Sequence, residues 1–435
     1  MGLKTLKIFE RISKNSFIKQ SLGTLALRIS GVILLFGFTL FLTKSYSPKL
    51  VGQYDFVRSY LLAIGSICLL GFDQSILYFK GRLASQNELT QLKKVYVKMV
   101  GMLFLVSLII LIVFLLIDKN RINAYFLDDE VYDILLKSSV ILFFHGLSLL
   151  NTEVFRAMDK LYVAELFRNI IKYIPLIIGS LVLFYWHLET YLVDVFLIGF
   201  VFLALFSSIL IFIYFNKTET TTEEIFTSKE IFTKSYPIAI SGMAMFLLMS
   251  FDIMFLKKYQ NDETVAFYSV GVKIMTIISV IILTVNITVS AKIAEYFSSQ
   301  NMIELKRTLQ NSARLIFCIS FPVIALISLF SEYVLSLFGH QYSIAQQSFL
   351  ILIIGQGICS LFGSAPVYLN MTGRQHIFQI ILIGAVILNF ILNRFLIPIY
   401  GMTGAATAFF CSSFFWNFVS AVVIYKKDKI KIFLH

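Results

Sequence analysis

Charge is what this chain lacks. Asp, Glu, Lys and Arg make up 14% of its 435 residues, against about 25% in ordinary soluble domains. Hydrophobic residues reach 58% and the mean hydropathy is +0.83. No soluble core hides that much apolar surface, but a bilayer does, so a water-soluble globular protein is excluded. Long polar stretches are scarce as well. Apolar runs of about 20 residues, the length that spans a bilayer, occur about twelve times and consume most of the chain. No folded domain of about 50 residues or more fits in what remains, which excludes ATP-binding cassettes, soluble catalytic domains and large extracellular modules. Cysteine is limited to Cys68, Cys318, Cys359 and Cys411. All four lie in apolar stretches without CxxC spacing, so neither a disulfide framework nor a metal site is expected. No nucleotide motif is present and no cofactor is expected.

What is present is a set of spans near 20–43, 54–79, 95–117, 135–157, 164–186, 191–215, 235–256, 266–290, 314–337, 346–371, 377–398 and 403–425. Net charge is +12. In a membrane protein the positive-inside rule and anionic lipid account for such an excess, and no nucleic-acid partner is expected. With the N-terminus placed inside, inner segments hold 23 Lys and Arg and outer loops hold 6. Both termini are therefore expected in the cytoplasm. The first twenty residues carry Lys4, Lys7, Arg11, Lys14 and Lys19 but no short apolar run or cleavage site. They predict a basic amphipathic segment on the cytoplasmic surface rather than a signal peptide.

The polar, Thr-rich stretch 216–234 sits at the midpoint and predicts a cytoplasmic linker between lobes 1–215 and 235–435, six spans each. Around Phe226 and Phe232 it could form one amphipathic turn. The halves are faintly alike: Val51-Gly-Gln-Tyr-Asp-Phe-Val-Arg58 opens the second span and Val265-Ala-Phe-Tyr-Ser-Val-Gly-Val-Lys273 the eighth. Six plus six spans with the same inside start make parallel repeats, which can rock about a central site.

Eight cations fall inside spans: Arg28, Arg58, Lys98, Lys137, Arg168, Lys172, Lys273 and Arg394. Those near a span end can snorkel to the interface. Arg28, Lys172 and Lys273 lie about 12 Å into a core of about 30 Å, so they must face protein or water. Arg28, Arg58 and Lys273, with Lys172 as a fourth candidate, suit an anionic phosphate or pyrophosphate held by charge-assisted hydrogen bonds. The spacings Glu153/Arg156 and Glu165/Arg168 predict local ion pairs. Asp73 and Asp252 lack a cation three or four residues away and need a partner from another span or a hydrated cavity. Asp252 and Lys273 could pair with each other, which would make Lys273 partly structural. His145 predicts a hydrogen-bonded packing residue, with proton coupling as the alternative.

Several strings carry a resemblance: Ser47-Pro-Lys-Leu-Val-Gly-Gln-Tyr54, Leu70-Gly-Phe-Asp73, Phe155-Arg-Ala-Met-Asp-Lys160, Val265 to Lys273, and Tyr400-Gly-Met-Thr-Gly-Ala-Ala-Thr-Ala408. Across nearly its whole length the chain resembles the polysaccharide flippases (O-antigen transporter, or Wzx, type) of the multidrug/oligosaccharidyl-lipid/polysaccharide (MOP) exporter superfamily. The resemblance implies an all-α MATE-like fold of about twelve transmembrane helices in two six-helix lobes. It implies a non-enzyme of the bacterial inner membrane that carries undecaprenyl-pyrophosphate-linked oligosaccharide units to the periplasmic leaflet by alternating access. Such a protein works for O-antigen or capsule synthesis, among membrane lipids and beside polysaccharide polymerase and chain-length proteins. In the similar lipid II flippases, cavity arginines on the first, second and eighth spans matter. Arg28 and Arg58 match by type, while Lys273 stands where an arginine would, without its bidentate fork. With no nucleotide site, energy would come from an ion gradient or the membrane potential, and Asp73 and Asp252 are the coupling candidates. A cation-coupled drug exporter of the same fold is the nearest rival; its cavity should be dominated by carboxylates. A membrane glycan polymerase or ligase would need a larger outer loop than this chain has.

Overall fold

The computed structural model describes residues 16–83, 88–216 and 226–432. The first fifteen residues of the basic N-terminal segment and residues 217–225 of the expected linker lie outside the described residues. Among the described residues the chain is helical, without strands. The first half runs α1 (Ser16–Ser45), α2 (Pro48–Leu69), α3 (Phe72–Arg82), α4 (Glu88–Leu115), α5 (Lys119–Phe126), α6 (Val131–Ala157), α7 (Leu161–Asn169), α8 (Ile174–Tyr185) and α9 (Leu192–Phe215). The second half runs α10 (Ser228–Tyr259), α11 (Asp262–Ser298), α12 (Met302–Leu329), α13 (Ser331–Ser336), α14 (Gln346–Ser360), α15 (Ala365–Met371) and α16 (Gln375–Asp428).

Among the described residues, eleven helical stretches are long and apolar enough to cross a membrane. The chain is a multi-pass membrane protein. A helix satisfies every backbone polar group within itself, the condition for crossing hydrocarbon. The twelfth expected crossing is inside α16. Its 54 residues would reach about 80 Å if straight, far beyond a core of about 30 Å. At Gly401 φ is 53° and ψ −127°, a conformation open to glycine. A Cβ on Gly404 would stand 2.4 Å from the Leu396 carbonyl oxygen, so the chain folds back there into arms 375–400 and 402–428.

Four expected spans are not continuous helices; the ninth breaks at Phe330 and the tenth at residues 361–364. Leu70 and Gly71, with φ of 48° and 73°, separate α2 from α3. The fifth is split by a 3-10 turn at Ile171–Tyr173, ahead of Pro175, whose missing N–H fits the start of α8. In the stretch expected as linker, 228–234 are already the first turns of α10. Phe226 is buried and meets the Phe79 ring edge-on at 5.0 Å, whereas Phe232 is exposed.

By packing, the described chain divides into two units that do not follow chain order. The first comprises the chain up to Phe38, Cys68–Leu108 and Ile141–Tyr236. The second comprises Thr39–Ile67, Ile109–Val140 and the chain from Pro237. Inside the first, Asn151 accepts from the Tyr96 hydroxyl at 2.8 Å and donates to Ser207 and Ser208 at 2.8 and 2.9 Å. Three helices are thereby joined without an unpaired amide in the core. The second is built around Leu305, Leu309, Tyr368, Leu382 and Ile424, all fully buried.

Candidate functional site

In the first unit, α1 carries Arg28 to α7. Gly31, one turn along, lets the helices approach closely, since a Cβ there would lie 2.6 Å from the Asn169 side chain. The Arg28 guanidinium donates from Nε to Glu165 Oε2 at 3.0 Å and from Nη2 to Oε1 at 2.5 Å. This is the fork geometry that makes arginine–carboxylate pairs strong. Asn169 adds a third donor to Oε2 at 2.9 Å. The expected Glu165–Arg168 pair therefore does not form, because Arg28 holds Glu165 and Arg168 pairs with Glu153. Arg156 also reaches Glu153, at 3.6 Å, as its spacing predicts. Asp73 lies in the first turn of α3, where the helix dipole favours a carboxylate.

Lys172 lies in the 3-10 turn, exposed, with its ammonium 4.8 Å from the centre of the Tyr173 ring. His145 is not the hydrogen-bonded packing residue expected. It is buried, Nδ1 has no hydrogen-bond partner, and the ring meets Phe200 edge-on at 4.8 Å.

In the second unit the structure joins Arg58 and Lys273 through a carboxylate that the sequence reading missed. Pro48 at the first position of α2 sets that helix and places Asp55 and Arg58 one turn apart. Asn261 caps α11, its Oδ1 accepting from the Thr264 backbone N–H at 2.9 Å. A Cβ on Gly52 would fall 1.8 Å from the Asp262 carbonyl oxygen, so α2 and α11 meet backbone to backbone near their N-termini. Lys273 Nζ then lies 2.7 and 2.8 Å from the two Asp55 oxygens and 5.5 Å from the Tyr54 ring centre. Arg58 Nη1 is 4.0 Å from Asp55 Oδ1. Asp55 is 1% exposed and Lys273 6%, while Arg58 keeps 32% of its side chain accessible. One carboxylate thus serves two cations, and Arg58 is the accessible member of the group.

Asp252 does not pair with Lys273, which Asp55 has taken. Its Oδ1 accepts from Asn393 at 2.7 Å and Asn389 at 3.2 Å, and its Oδ2 accepts from the Tyr268 hydroxyl at 3.0 Å. Asn389 and Asn393 stand one turn apart on α16, so both amides face the same carboxylate. Asp252 is 2% exposed and forms no ion pair among the described residues. Farther along the α10–α11 turn, buried Lys257 binds Asp262 at 2.6 Å and also Asp128. Glu130 beside it accepts from Gln53 at 3.1 Å.

The profile of the polysaccharide biosynthesis protein family matches residues 17–291, and that of the MatE family matches residues 237–395. No curated protein sequence matches the chain. Among solved structures, the lipid II flippase MurJ in an inward closed conformation is similar, with TM-score 0.69 and 15% identity over 94% of this chain and 87% of that one. An inward-facing multidrug resistance MATE family transporter of the MOP superfamily aligns with TM-score 0.69 and 15% identity, over 94% of this chain and 98% of that one. A MOP superfamily transporter from Pyrococcus furiosus gives 0.63 and 16%, over 95% of both chains. At such identities the likeness is one of fold.

Proposed function

This chain belongs to the polysaccharide biosynthesis protein family and has the MOP-superfamily fold, and from that premise we propose that it is a flippase for undecaprenyl-pyrophosphate-linked oligosaccharide repeat units. It carries them from the cytoplasmic to the outer leaflet of a bacterial inner membrane, for O-antigen or capsule synthesis, with both termini cytoplasmic. The lobes 1–215 and 235–435 alternate access about the substrate, and polymerase and chain-length proteins take up the product.

The observation that carries this reading is the Arg58–Asp55–Lys273 group. It brings two cations together and keeps Arg58 partly accessible, which suits a phosphorylated carrier better than an organic cation. Arg28 is the second contact: Glu165 fixes one edge of its guanidinium and leaves the remaining donors for phosphate oxygens. Lys172 is an accessory cation. The pyrophosphate and glycan need a hydrated path while the prenyl tail stays in lipid. Asp252 and Asp73 take up the coupling ion. A buried carboxylate held by three neutral donors can bind a proton or small cation without breaking an ion pair.

Arg58→Ala is expected to abolish surface polysaccharide while leaving the amount of membrane-inserted protein unchanged. Normal polysaccharide in that variant would remove the group from the transport path. A cation-coupled drug exporter is the second reading, favoured by the MatE match over 237–395 and by the lone carboxylate Asp252. It predicts the opposite pair of results: intact polysaccharide on deletion and raised sensitivity to cationic dyes.

A further inference from the structure

A cavity of about 350 Å³ lies within the second unit, between α10, α11, α14, α15 and α16. Its size is that of a small-ligand site, and its lining is unlike the charged groups described above. Asp252 is the only charged residue on it, and that carboxylate is almost wholly buried with three donors already on its oxygens. Asn286 commits only its oxygen, which accepts from Ser364 at 2.7 Å. Asn417 commits only its NH₂, to the Ser413 carbonyl at 2.8 Å. Gln356 makes no hydrogen bond to the described protein. Amide donors and acceptors therefore remain open on the lining. Trp416 and Phe409 line the cavity as well. Trp416 is one of two tryptophans in the chain; the other, Trp186, is exposed past the end of α8.

Each ligand class meets this lining differently. A purely apolar ligand would leave the amides unpaired, and a site built to hydrogen-bond disfavours such a ligand strongly. An anion finds no cation. An organic cation finds a carboxylate it cannot reach. An uncharged sugar ring suits both kinds of lining, with its C–H face against an aromatic ring and its hydroxyls exchanging hydrogen bonds with the amides. We propose that this cavity is a subsite for an uncharged sugar of the lipid-linked glycan, separate from the cations that meet the pyrophosphate. The inference rests on the flippase reading above.

Binding to the full-length protein in lipid nanodiscs tests it, with undecaprenyl pyrophosphate, bare or carrying one N-acetylglucosamine or one galactose. At least one sugar-bearing carrier is expected to bind ten times more tightly than the bare one. Gln356→Leu and Trp416→Ala should bring that ratio to within twofold of one while leaving affinity for the bare carrier unchanged, which also shows that the variants are folded. Should Trp416→Ala lose the bare carrier too, Gln356→Leu and Trp416→Phe decide. A preference that survives Gln356→Leu, a wild-type protein that ignores the sugar, or loss of tetraphenylphosphonium binding in the same variants overturns the subsite and leaves the pyrophosphate site standing. A wild-type protein that binds no carrier at all overturns the flippase reading together with it.

Discussion

Glu165 receives two N–H groups from Arg28 and one from Asn169, so removing Arg28 alone strands a nearly buried carboxylate. Breaking a buried pair from one side costs about 3 kcal/mol or more, most of it the penalty for the charge left behind. Arg28→Ala is therefore expected to lower thermal stability in detergent by about that much, and adding Glu165→Ala should recover most of it. The double variant separates two roles for Arg28. If stability returns and surface polysaccharide does not, the guanidinium acts on substrate; if both return, it serves only Glu165. Asp55 supplies the companion lesson. It lies inside the span expected over 54–79 and three residues before Arg58, the spacing that points to Glu153 and Arg156, but the cation that takes both its oxygens, Lys273, is on another helix.

Between elements, the narrowest contact is where α2 meets the start of α11. A methyl group on Gly52 would meet the Asp262 carbonyl oxygen at 1.8 Å, and backbone cannot rotate aside as a side chain does. Gly52→Ala is expected to cost more than the roughly 1–3 kcal/mol of ordinary overpacking, read as a lower thermal midpoint; an unchanged midpoint would mean that the helices part freely. The loop 127–130 adds an electrostatic contact to the same region through Asp128 and Lys257. Burial pushes the Asp128 carboxyl up, but the Lys257 hydrogen bond, the Glu130 backbone N–H and the charges of Lys257 and Lys49 together hold it below the ordinary carboxylate range. A depressed value in the folded state gives stability that is complete above the unfolded value of about 3.9 and lost as pH falls through the folded one. Asp262 shares Lys257 with Asp128. Asp128→Asn should lower the midpoint at pH 6 and flatten its fall between pH 5 and pH 3. Parallel curves for the two proteins would show that Asp128 contributes nothing there.

Across the whole molecule, the class of protein was legible because a bilayer makes a crude demand, about 20 apolar residues per crossing, which a count of hydropathy can meet. The breaks at Leu70–Gly71 and Ile171–Tyr173 were hidden because both lie inside apolar runs that a hydropathy window averages over. Charge partners were hidden for another reason. Spacing rules see only one helix, whereas Arg28 and Glu165 are 137 residues apart and Asp55 and Lys273 are 218. Orientation rests on the 23 to 6 asymmetry of basic residues, a bias that acts during insertion rather than through any contact in the finished fold. It is tested by placing single cysteines in a variant lacking the four native ones. Asn120→Cys, exposed on α5, should react with a membrane-impermeant maleimide in intact spheroplasts. Lys229→Cys, exposed at the start of α10, should react only after the membrane is opened. The reverse pattern would invert the protein and with it the direction of transport, because the phosphorylated carrier would then meet the opposite ends of α1 and α2 first.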